Sequence, residues 1–249
     1  MVKGIDTFRR YFAEYEEQYV LIGGAACDIV FESNDTAFRA TRDLDMVLIV
    51  EALTPEFGEK FWKFIQDGRY RNKSTNGQKP QFYRFDKPED DAYPKMIELF
   101  CRSNFELREM TGITPIYIDD EVSSMSAILL NDDYYRILLE GKVVRNGLSV
   151  LRPEYLILFK AKAYLDLKQR KDSGEAVDSK NISKHKKDIL RIAAELTLES
   201  IGALPAAVET DIRIFIDSLI KDPFDSNSLK AYGLSNDEVV EVLHRVFEQ

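Results

Sequence analysis

Apolar positions recur along this chain at two different spacings, and the spacing changes near residue 151. Tyr19–Ile22 is a short apolar run stopped by Gly23 and Gly24, which predicts a buried strand and a tight turn. The following AACDIVFE has helical spacing, and the polar segment 33–41, SNDTAFRAT, leads into a second apolar strand that opens with Asp43-Leu44-Asp45. PEFGEKFWKFIQDG carries Pro at its start and Gly68 at its end, as a helix does. The order is thus strand, helix, strand, helix. From Arg69 to Pro94 the chain is polar and rich in turn residues, with QFYRF as its obvious strand, and KMIELFCRS then alternates as another. TPIYI, SAILL, YRILL and GLSVL read as further short strands up to residue 151.

Beyond Pro153 the period is helical throughout. PEYLILFKAKAYLDLKQRK predicts one long helix with Pro in its first turn, and KHKKDILRIAAEL predicts another after a polar loop. Breaks at Pro205, Pro223 and Gly233 divide the remainder into two or three more helices. The predicted fold class is α/β: a mixed sheet with flanking helices over residues 1–151, followed by a helical C-terminal domain over 152–249. Near the start, Phe8, Tyr11, Phe12 and Tyr15 have helical spacing and are expected to be core.

Composition narrows the functional classes. The chain has 249 residues and is 45% hydrophobic, enough for a substantial core. A formal charge of -9 disfavours a broad nucleic-acid surface, although a local basic strip could still hold an RNA end or a triphosphate. The two cysteines, Cys27 and Cys101, sit in apolar surroundings and are expected to be reduced core residues. No apolar run approaches the length of a bilayer span, so a cytoplasmic protein without membrane contact is expected.

The candidate chemistry begins with Asp43 and Asp45. Two residues apart on a strand, both carboxylates point to one face, roughly 6 to 7 Å apart. At an effective dielectric near 20 their repulsion is about 2 to 3 kcal/mol, which a cation would offset. Glu98, between Ile97 and Leu99, interrupts a second apolar strand in the same way. Three carboxylates supply hard oxygen ligands, which suit Mg2+ or Mn2+. The Gly23-Gly24 turn ahead of a helix would let backbone N–H groups approach a phosphate.

The order of these features resembles that of the nucleotidyltransferase superfamily that includes DNA polymerase beta, and within it the branch of AbiEii-type toxins and related bacterial proteins. Arg39, Thr41, Asp43 and Asp45 match that branch's Arg-x-Ser/Thr-x-Asp-x-Asp run, while PEYLILFKAKAYLDLKQR and KHKKDILRI are similar to its C-terminal lysine and Lys-Asp motifs. Two departures stand out: the interval from Gly24 to Asp43 is long, and the third acid is Glu in place of the commoner Asp. The resemblance implies transfer of a nucleoside monophosphate from an NTP to a hydroxyl acceptor, with Mg2+ or Mn2+ as cofactor. Asp43, Asp45 and Glu98 would form the catalytic, metal-holding set. Gly23, Gly24, Arg39, Thr41, Lys160, Lys187 and Asp188 would bind the nucleotide. The acceptor would be a tRNA end, a protein or a small molecule, and a partner antitoxin is a further implication.

Two other readings stay open. One is a catalytically silent nucleotide- or metal-binding protein of the same fold. The other, a CCA-adding tRNA nucleotidyltransferase, draws on the glycine pair followed by Asp28, but Ala-Ala-Cys stands where that reading expects Val-Arg. In the helical half, Lys184 and Asp188 are four apart, the spacing of an ordinary surface ion pair. Lys160 is expected to face the nucleotide, and Lys171, far along the same helix, to face solvent.

Overall fold

The computed structural model describes residues 2–32, 41, 43–71, 84–101, 108–109, 112–113 and 131–248. TPIYI, SAILL, Arg39 and the first three residues of QFYRF lie outside them. The chain divides into two compact units, Met1–Leu130 with Lys142–Leu151, and Asn131–Gly141 with Arg152–Gln249. Among the described residues no helix is long and apolar enough to cross a membrane.

The first unit is a mixed α/β assembly. In chain order it contains α1 (Ile5–Phe12), β1 (Tyr19–Ile22), α2 (Gly23–Glu32), β2 (Asp43–Leu48), α3 (Pro55–Asp67), β3 (Arg84–Asp86), β4 (Met96–Cys101), β5 (Arg108–Glu109), β6 (Gly112–Ile113), β7 (Lys142–Arg145) and β8 (Leu148–Leu151). Strands β5 and β6 pair with each other, and the other six form one sheet in the order β3-β4-β2-β1-β8-β7. Within it β2–β4 and β1–β8 are parallel, while β1–β2, β3–β4 and β7–β8 are antiparallel.

Register fixes which residues share a face, because side chains alternate along each strand and paired residues point the same way. Tyr19 pairs with Leu48, Leu21 with Met46, Met46 with Leu99, Leu44 with Ile97 and Ile97 with Phe85. This apolar face meets an aromatic layer from α1 and α3. Tyr19 lies edge-on to Phe8 at 5.5 Å between ring centroids, Phe85 contacts Phe61 at 5.5 Å, and Phe12 and Phe64 join the layers at 5.4 Å. The expected core role of Phe8 and Phe12 holds, since both are fully buried. Cys27 is a free, buried thiol. Helix α3 starts as its sequence predicts, with Pro55 in the first turn and the Thr54 hydroxyl accepting from Phe57 N at 3.3 Å.

The second unit is helical: α4 (Asp132–Glu140), α5 (Pro153–Asp172), α6 (Ser179–Glu195), α7 (Ala206–Lys221), α8 (Ser226–Tyr232) and α9 (Asn236–Phe247). Helix α5 packs on α6 and α7, and α4 packs on α5 and α7. The segment YRILL, expected as a strand, belongs to α4. Its buried residues Tyr134, Tyr135, Ile137 and Leu138 follow helical spacing, and the Asn131 side chain caps the start by accepting from Asp133 N at 2.9 Å.

Candidate functional site

The candidate site lies on the sheet face opposite the aromatic layer. Asp45 pairs with Ile22 on one side and with Glu98 on the other, and Asp43 is two residues from Asp45, so Asp43, Asp45 and Glu98 share this face. The flanking residues Leu44, Met46, Ile97 and Leu99 are buried on the other face, which makes a one-residue slip of either strand costly. Burial of the apolar partners thereby holds the acids in register.

Glu98 has a neighbour on its far side. Arg84 pairs with it across β3–β4, and its guanidinium donates to Glu98 Oε1 through Nε at 2.6 Å and also through Nη2. Because β3 and β2 flank β4 on opposite sides, the Glu98 carboxylate is committed to a cation on the side of β4 away from Asp45. Consistent with that, no group of three or more His, Cys, Asp and Glu among the described residues is close enough to hold a metal ion. The shared face fits a divalent cation in its donor chemistry, and Asp43 and Asp45 are the oxygen donors best disposed toward one. The expected tight grouping of all three acids is not what this structure contains. Sequence spacing gave the face of Glu98 but could not reveal Arg84 as its partner.

The turn between β1 and α2 is built against the same acids. Gly23 has φ +66, and a Cβ added there would lie 2.0 Å from Asp45 Oδ2. Only glycine satisfies both the left-handed backbone and this contact. Gly24 follows as a buried residue of the first turn of α2. Gly147 has a similar φ of +70, but its nearest neighbour would be 3.7 Å away. Gly23→Ala should therefore destabilise the protein by about 2 to 3 kcal/mol and Gly147→Ala by about 1 kcal/mol. Equal shifts of the two urea midpoints would show that the Asp45 contact contributes nothing.

The remaining predicted residues that are described fall in both units. Thr41 is half-buried just before β2, and Arg39 lies outside the described residues. In the helical unit, Lys160 Nζ donates to Asp188 Oδ2 at 2.7 Å, with side-chain exposures of only 6% and 4%. This corrects two expectations. Asp188 is paired across α5 and α6 with Lys160 and not along its own helix with Lys184. The Lys160 ammonium is committed to that buried carboxylate, so it does not offer an open charge to a phosphate. Lys187 lies next in sequence to Asp188 but is exposed, on the wall of a cavity within the helical unit. Lys171 lines the same cavity and donates to Ser179 Oγ, an arrangement that helical spacing alone did not reveal.

Comparisons of the chain with family models, curated proteins and solved structures found no match.

Proposed function

We propose that the chain is a metal-dependent nucleotidyltransferase whose chemistry resides in the first unit. The observation that carries this reading is the in-register row of Asp43, Asp45 and Glu98 on one sheet face, with the Gly23 turn packed against Asp45. Asp43 and Asp45 would hold Mg2+ or Mn2+, which neutralises phosphate charge and polarises the reacting oxygens. The Gly23-Gly24 backbone would approach the triphosphate at the start of α2. Glu98, once freed from Arg84, would orient the acceptor hydroxyl and take its proton. The acceptor oxygen would then bond to the α-phosphorus as the bond to pyrophosphate breaks. Lys160 has no part in this reading, because its charge is answered by Asp188. The acceptor classes remain a tRNA end, a protein or a small molecule, and an antitoxin partner remains a proposal drawn from the resemblance.

The Arg84–Glu98 pair favours a second reading, a nucleotide- or metal-binding protein that does not turn over. Titration calorimetry of each NTP with and without Mg2+, followed by a pyrophosphate-release assay on candidate acceptors, separates the two. Transfer requires Mg2+-dependent binding together with pyrophosphate release. Tight Mg2+-dependent binding with no release on RNA, protein or small-molecule acceptors would support the silent reading. Absence of Mg2+-dependent NTP binding would defeat both.

A further inference from the structure

A cavity of about 480 Å³ lies wholly within the helical unit, between the C-terminal half of α5, the N-terminal half of α6 and the 222–228 segment. Its volume is in the range of small-molecule sites, which combine an apolar interior with a few convergent polar groups. Ile182, Leu190 and Phe224 supply the apolar part. At least one wall is firmly held. Buried Lys186 donates to Asp222 O and to Pro223 O at 2.9 Å, and pairs with Asp222 Oδ2 at 2.9 Å, tying α6 to the turn that carries Phe224.

Four lysines and three aspartates line this space, in a chain whose net charge is -9, so the balance of commitments decides what it attracts. Asp222 is answered by Lys186 and by the Tyr164 hydroxyl at 2.8 Å. Burial alone would raise its pKa, but bonds from Lys186 and Tyr164 hold it below the ordinary carboxylate range. Asp225 is occupied in capping α8, accepting from Ser228 N at 2.9 Å and from Ser228 Oγ at 2.8 Å. Asp172, at the end of α5, is the remaining acid.

The cations are less fully engaged. Lys168 is 3.9 Å from Asp222 Oδ2 and 3.3 Å from the Tyr164 hydroxyl. Among the described residues, neither Lys171 nor Lys187 has a carboxylate within ion-pair distance, and Lys171 is bonded to the Ser179 hydroxyl. Three long, adjustable ammonium groups and the hydroxyls of Ser179 and Ser183 therefore border an apolar interior. A phosphate dianion matches two or three such cations better than a single carboxylate does.

We propose that this cavity binds an organic phosphate monoester, its compact apolar body against Ile182, Leu190 and Phe224 and its phosphate held by Lys168, Lys171 and Lys187. None of the residues that line it belongs to the first unit, and its occupancy does not depend on whether the carboxylate face of that unit transfers nucleotides. A nucleoside monophosphate and a simple aryl phosphate share the required chemistry, and their relative affinities distinguish a base-and-sugar body from a purely apolar one.

The test is a calorimetric titration of the full chain in EDTA with phenyl phosphate, AMP and inorganic phosphate. At least one of the two esters should bind about tenfold more tightly than inorganic phosphate, corresponding to a modest gain from the apolar body. The double variant Lys171→Ala/Lys187→Ala should lose about tenfold or more in affinity, and Lys171→Arg/Lys187→Arg should retain most of it. Both lysines are exposed, so a circular-dichroism melt should leave the fold unchanged in each variant. Asp45→Asn should bind the ester normally. The proposal is overturned if neither ester saturates, if inorganic phosphate binds as well as both esters, or if the double alanine variant binds like the parent. Loss of ester binding in Asp45→Asn would also overturn it, by moving the ligand to the first unit.

Discussion

Lys160→Met should lower the unfolding free energy by about 3 to 5 kcal/mol, because it leaves the Asp188 carboxylate buried without the ammonium that now answers it. Coulomb attraction between the two groups offsets their desolvation only while both are present. The double variant Lys160→Met/Asp188→Leu removes both charges and fills similar volume, so it should recover most of the loss, landing within about 1 kcal/mol of the parent or above it. Urea unfolding of the three proteins gives the coupling directly. If Lys160→Met unfolds at the parent midpoint, the pair is not structural and Lys160 returns as a candidate phosphate ligand. In the double variant, Mg2+-dependent NTP binding should be unchanged, because the proposed chemistry lies in the first unit.

The second large effect belongs to Asp45. If Asp45 holds the catalytic cation, Asp45→Asn should reduce Mg2+-dependent pyrophosphate release by about a hundredfold to a thousandfold, since one coordinating charge is lost where phosphate charge must be neutralised. The same substitution relieves repulsion among Asp43, Asp45 and Glu98, which share one sheet face. The metal-free protein should therefore melt at the same temperature or higher. Asn keeps the size and one oxygen of Asp, so the contact with Gly23 survives. A large fall in the metal-free melting temperature with little change in turnover would mark Asp45 as a structural acid holding the β1–α2 turn.

These two residues also illustrate what local sequence could reveal. The face of Asp43 and Asp45 follows from strand alternation alone, and the apolar Leu44 and Met46 that flank Asp45 fix the register, so β1, β2, β4 and the acids were readable. Partner choice was not. Arg84 reaches Glu98 through the pairing of β3 with β4, and Lys160 reaches Asp188 by packing of α5 on α6, long-range events that leave no mark in either local window. YRILL misled for a different reason. Five mostly apolar residues fit either period, and the deciding signals were the upstream Asn131 cap and the buried pattern of Tyr134, Tyr135, Ile137 and Leu138. The cavity beside Lys171 and Lys187 was equally hidden, since it forms only where the 222–228 segment closes against α5 and α6.

The placement of α4 has a genetic consequence. The chain leaves the first unit after Leu130, contributes Asn131–Gly141 to the second, returns for Lys142–Leu151, and leaves again at Arg152. Tyr134, on that short excursion, donates to Asp211 Oδ2 at 2.9 Å and stacks edge-on with Phe159 at 5.5 Å. A coding fragment ending at residue 151 would carry this tyrosine away from both partners, and one beginning at residue 152 would inherit the partners without it. Recombination at the single seam near 151 therefore hands on the first unit with α4 attached and the second unit without it. Homologous genes could exchange helical units intact only through three crossovers, one on each side of the α4 codons and one near 151, so the two units tend to be inherited together.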